Sequence, residues 1–224
     1  MKKLFVLIAF IIATNINAQI REGIVRYNLL LENPSSKSAN PMLGNSETII
    51  YFKNGKILSE IITKAYTMKA LSDDKGMLIL MDVVTGTKFF TMKTKAEIDK
   101  EKIQKKIQEP TVEYTKEKKV IIGYECTKAF ISFKDSHGKD MKITVWYTEK
   151  IKNFPGSGGM VDPDMLIKLK GMALEVDILL GGLKGKMTVN NISTKPVPNA
   201  VFTLSTAGYT ERKVTDMKRS TLTK

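Results

Sequence analysis

Apolar and polar residues alternate along most of the chain, and turn-forming residues interrupt them at short intervals; this is the pattern of β-strands. Residues 23–32 read as a first strand, followed by a loop over 33–45 rich in Pro, Ser and Asn. Strands at 48–52 and 57–63 flank Asn54-Gly55, a dipeptide that tolerates positive φ and so predicts a hairpin. Strands at 66–71, 77–84 and 88–93 complete a meander. The 77–84 segment is apolar at every position but Asp82 and Thr85 follows it, so both faces of this strand are expected to be covered. Further strands are predicted at 111–115, 120–133, 141–148, 173–180, 186–193 and 201–205.

Two segments depart from that pattern. The charged stretch 95–109 spaces Ile98, Ile103 and Ile107 only partly as a helix does; an exposed amphipathic helix and a mobile loop both fit it, and it reads as a solvated connection rather than a helix lying on a membrane. At 163–169 a short helix is predicted, with Asp162 at its N-cap, Pro163 in its first turn, Gly171 at its stop and Met165, Leu166 and Leu169 as its apolar face. The fold class expected is α+β but mostly β, a curved antiparallel sheet with one or two short helices.

The N-terminus changes the picture of address. Lys2 and Lys3 precede an apolar run over 4–13, and Ala18 offers a small residue for cleavage, so residues 1–18 read as a secretory signal peptide. The apolar run is half the roughly 20 residues a membrane span needs. A single β-rich domain is expected over 19–215, with a frayed tail at 216–224. An exported chain whose only cysteine is Cys126 forms no internal disulfide, and Cys126 reads as a small buried hydrophobe within a strand.

The formal charge is +13, and +11 once Lys2 and Lys3 are removed. That surplus suits an anionic membrane surface or an acidic glycan. Lys dominates it, with Arg confined to Arg21, Arg26, Arg212 and Arg219, so a solvated surface is the plainer reading and no nucleic-acid partner is expected.

Candidate chemistry is sparse. His137, the one histidine, sits in the turn-favouring run Asp135-Ser136-His137-Gly138. Cys and His are too few for a zinc site, and Asp73-Asp74 and Asp162/Asp164 lack the spacing of a calcium loop. The 153–159 glycine loop does not end in the Gly-Lys-Ser/Thr of a phosphate loop. Glu175 and Asp177 share one face of a strand, the geometry of a hydrolytic carboxylate pair, but also that of a strand's wet side. No catalytic residue, metal or cofactor is assigned. What remains is apolar volume: Met68, Met77, Met81, Met92, Met141, Met172 and Met187 lie on or beside strands, and thioethers both fill cores and line adaptable cavities.

Four pieces in order, Gly123-Tyr124-Glu125-Cys126, Val145-Trp146-Tyr147-Thr148, Leu169-Lys170-Gly171-Met172-Ala173-Leu174-Glu175-Val176 and Phe202 to Tyr209, resemble the exported Bacteroidetes proteins catalogued as domain of unknown function 4412 and the related GLPGLI group, whose own signature is missing here. The resemblance implies an unclosed half-barrel similar to the periplasmic lipoprotein carriers LolA and LolB. It implies fold-marking roles for Gly123, Tyr124, Cys126 and Gly208. With the methionines, it makes Met77, Met81, Met141, Trp146, Met165, Leu169 and Met172 the candidates for lining a groove. The function expected is non-enzymatic binding of an acyl chain or a lipoprotein in the envelope. The alternatives are an interaction protein with a self-filled core that docks on anionic lipid or glycan, and a carboxylate hydrolase.

Overall fold

The computed structural model describes residues 19–32, 46–104, 109–134, 138–153, 163–166, 168–180 and 183–212. The expected leader, the 33–45 loop, His137, most of the 153–159 glycine loop, Asp162 and the tail lie outside the described residues.

One curved, unclosed sheet takes in twelve strands. β1 (Glu22–Glu32), β2 (Ser46–Lys53), β3 (Lys56–Ile62), β4 (Tyr66–Ser72), β5 (Gly76–Val83) and β6 (Lys88–Thr94) form an antiparallel meander. β7 (Thr111–Ile121), β8 (Tyr124–Lys134), β9 (Asp140–Thr148), β10 (Met172–Leu180) and β11 (Leu183–Ser193) form a second. The meanders meet where β1 pairs with β11, Tyr27 opposite Val189. β12 (Thr210–Glu211) adds to β6 in parallel, giving the order β12-β6-β5-β4-β3-β2-β1-β11-β10-β9-β8-β7. No helix among the described residues is long and apolar enough to cross a membrane.

Two sequence expectations are corrected, and one left open is decided. Residues 120–133 are not one strand: Ile122 (φ 41°) and Gly123 (φ 86°) make a hairpin turn between β7 and β8, as Asn54 (φ 50°) and Gly55 (φ 81°) do between β2 and β3. A β-branched residue in the left-handed region costs about 1–2 kcal/mol, so Ile122 gives no sequence cue for a turn. The charged stretch is helical as α1 (Lys95–Gln104), because Thr94 and Glu97 form a capping box: the Thr94 N–H donates to Glu97 at 2.8 Å, and the Glu97 N–H donates to Thr94 Oγ1 at 3.3 Å. Residues 201–205 are not a strand; a 3-10 turn spans Asn199–Phe202, and a second turn at Ala207-Gly208, closed by the Tyr209 N–H donating to the Thr206 carbonyl at 3.0 Å, leads to β12. The predicted short helix forms as α2 but only over Pro163–Leu166, leaving Leu169 and Gly171 beyond its end; Gly171 instead serves a close approach of strands, since a Cβ there would run into the Thr148 carbonyl.

Register sorts the side chains into two faces. On the core face, β1 presents Val25, Tyr27 and Leu29, β10 presents Leu174 and Val176, and β9 presents Ile143, Val145 and Tyr147, all buried. The β9–β10 connection folds back over them, adding Ile151, Leu166 and Leu169, none more than 4% exposed. Each such side chain contributes about 1.5–3 kcal/mol of burial. The Asn153 amide pins this plug by donating to the carbonyls of Leu166 (2.6 Å) and Leu169 (3.3 Å). Tyr27 crosses the core to donate to the Ala173 carbonyl at 2.8 Å, satisfying its otherwise buried hydroxyl.

The opposite face carries a smaller cluster at the other end of the sheet. Residues 194–209 lie across β1–β4 as a strap, seating Val197 and Phe202 on Leu58, with Ile24, Tyr51 and Leu71 around them. The strap is latched at its start: the Val197 N–H donates to Glu22 at 2.6 Å, and Lys53 Nζ donates to the Val197 carbonyl at 2.7 Å and pairs with Glu22 at 3.0 Å. These bonds hold the Glu22 carboxyl below its ordinary value.

Candidate functional site: the half-open face of β4–β6

Following the core face outward from β1, the cover thins. One cross-strand row reads Tyr27, Thr48, Ile61, Met68, Met81, Phe89, and the next reads Val25, Ile50, Ser59, Ala70, Ile79, Thr91. The residues of β1–β3 in these rows are buried, and so are Phe89 and Thr91 on β6, where Arg212 lies over the Phe89 ring and its carbonyl accepts from the Thr91 hydroxyl. Between them Met68, Ala70, Ile79 and Met81 are only half-buried, as are Met77 and Val83 on the same face. On β5, Gly76 and Leu80 are buried and the other residues half-buried, so the strand expected to be covered on both faces is only partly covered on each. A strip of partly exposed aliphatic and thioether side chains is apolar surface that a ligand could cover.

The row centres are small, Ser59 and Ala70, between larger Ile50 and Ile79, so side-chain height dips along β3–β4 into a shallow trough whose Ser59 side is already buried. At its inner end the Thr48 hydroxyl is buried without a hydrogen-bond partner among the described residues. Such a group costs about 1–3 kcal/mol until something polar reaches it. At its lower end Lys93, cross-strand from Met77, points to this same face and donates to both carboxylate oxygens of Glu101 at 2.7 Å. That ion pair draws α1 over β5 and β6.

The groove candidates named from sequence do not converge on one place. Met77 and Met81 lie on the half-open face. Met141 lies on the core side of β9, opposite Phe133, and lines an open depression of about 300 Å³ with Glu109, Lys134 and Asp140. Met165, Leu169 and Met172 belong to the filled region, Met172 with no exposed surface. Trp146 points away from the core, under Lys119 (4.4 Å) and Lys128 (5.9 Å). Sequence reasoning did not single out Ile79, Thr48 or Lys93; the apolar run of β5 was the available cue.

Gly123 and Gly208 (φ 82°) sit in turns, and Tyr124 is half-buried. Cys126 is fully buried, and burial pushes its thiol up to about 11, so it stays protonated and unreactive.

The carboxylates Glu175 and Asp177 are engaged by lysines. Glu175 accepts from Lys119 at 2.8 Å and Lys186 at 3.0 Å, and Lys186 reaches Asp177 at 3.9 Å. Burial pushes the Glu175 carboxyl up, but the two lysines outweigh it and bring it below its ordinary value. A general acid for glycoside hydrolysis needs the reverse, a carboxyl held protonated. Among the described residues no group of three or more His, Cys, Asp and Glu side chains is placed to hold a metal ion.

No family model matches the chain, and no curated protein matches it. Solved structures overlap with it at low identity. PNGF-II superposes with a TM-score of 0.47 at 15% identity over 89% of this chain, which spans only 32% of the PNGF-II chain. The Mycobacterium tuberculosis lipoprotein LppX gives 0.38 at 11% identity, covering 79% of this chain and 89% of its own. A putative outer membrane lipoprotein-sorting protein domain from Vibrio parahaemolyticus gives 0.35 at 9% identity, covering 81% and 88%. Superpositions this loose carry no argument about what the chain does.

Proposed function

We propose that this protein is a non-enzymatic binding protein of the cell envelope that holds an acyl chain, or the acylated end of a larger molecule, against the half-open face of β4–β6. The observation that carries this reading is the contrast along one sheet face: buried from β1 to β3 and again at Phe89 and Thr91, and only half-buried between them at Met68, Met77, Ile79 and Met81. Thioethers there adapt to a flexible chain without demanding one shape. Export with the 1–18 leader removed near Ala18, to the periplasm or the outer envelope, fits this role.

The test is native mass spectrometry of the protein purified from its own host, followed by titration of the delipidated protein with a fluorescent fatty acid. Saturable binding that Met81→Asp abolishes, with Met141→Asp as the control outside the trough, supports the reading. Absence of both copurified lipid and saturable binding overturns it.

A further inference from the structure

The charge at the foot of the trough specifies the ligand's head. An ammonium on an apolar face needs an anionic partner, since burying it unpaired costs several kcal/mol. The Lys93 side chain is 15% exposed, and in the empty protein Glu101 supplies that partner. The helix that brings Glu101 is unsuited to the surface beneath it. Within α1 only Ala96, Ile98 and Ile103 are apolar, so it buries little of the face it crosses. Its position rests on the Lys93–Glu101 pair and on the Thr94–Glu97 cap at its first turn.

We propose that Lys93 anchors the head of an anionic single-chain amphiphile, a carboxylate or phosphate that takes the place of Glu101 and displaces α1. The inference rests on the acyl-chain reading above and adds the head chemistry to it. The exchange keeps the lysine paired at every stage. It replaces a polar helix by a chain able to cover Met77 and Met81, so the ligand gains both the charge contact and the apolar area. Glu101 acts as an internal competitor that keeps Lys93 satisfied while the trough is empty.

The experiment compares three ligands with one chain and different heads, oleate, oleyl phosphate and oleyl alcohol, on the full chain. The wild type should bind at least one of the anions about tenfold more tightly than the alcohol, the scale of one charge-assisted hydrogen bond. The better anion of the two identifies the head. Lys93→Met should erase the preference and keep the alcohol's affinity. Glu101→Gln, a change on the exposed side of the pair, should tighten the anions more than the alcohol and so widen the preference. Equal binding of all three ligands by the wild type, or a preference that survives in Lys93→Met, overturns the anchor while sparing the acyl-chain reading. No binding of any ligand overturns both.

Discussion

Strands β8–β10 and strands β4 and β5 present the same face of one sheet, yet Ala129, Val145 and Leu174 have no exposed surface while Met68, Ile79 and Met81 are only half-buried. The strands are equally apolar; what differs is the connections. The β9–β10 connection is long and carries Ile151, Leu166 and Leu169, so it folds back as a plug. The turns between β2 and β3 and between β4 and β5 span only two or three residues, too few to cross a face. The one long connection leaving β6 brings α1, whose residues are mostly charged. On the reverse face the roles exchange, and the 194–209 strap covers β1–β4 with Val197 and Phe202. A sheet face is thus finished or left open by whether its loops are long and apolar, and the open one is where binding is proposed.

The comparison breaks most directly with a pair of substitutions. Met172→Ala, in the filled region, should cost about 3–4 kcal/mol of unfolding free energy by the cavity it leaves, whereas Met81→Ala should cost about 1 kcal/mol or less and instead weaken fatty-acid binding. Equal costs in urea denaturation would erase the distinction. Phe202→Ala should cost about 2–3 kcal/mol and release the strap, which amide exchange over 194–212 would show while the β8–β10 amides stay protected.

A smaller effect of opposite sign is expected at the β7–β8 turn. Ile122→Asn places a residue that tolerates positive φ, and should raise stability by about 0.5–1 kcal/mol; a loss would mean that the Ile122 side chain is needed there. The smallest effect concerns acid. The folded-state Glu22 carboxyl lies below its ordinary 4.5, so its latch contributes above that value and is lost as pH falls through the depressed one. Strap amides should therefore lose protection in that window, and Glu22→Gln should remove this pH dependence.

Legibility from sequence followed the range of the forces. Alternation and the Asn54-Gly55 turn located most strands, because both cues act between near neighbours. The same rules failed at Ile122, where the pairing of β7 with β8 imposes a conformation that isoleucine disfavours, and they left helix and loop both open at 95–104, where the Thr94–Glu97 cap decides for the helix. The groove candidates scattered because methionine content does not tell a filled site from an open one: Met172 and Met81 look alike in sequence.

By itself the chain determined an antiparallel, mostly β architecture, a single cysteine too buried in a strand to react, and two carboxylates on the strand face turned away from the core. Tertiary structure alone decided which strands meet, bringing β1 beside β11 from opposite ends of the chain, and hence which apolar face is plugged. It also decided that Lys93 and Glu101 pair beneath a helix. Periodicity reports which way a side chain points, and what comes to cover it depends on contacts between residues far apart in sequence.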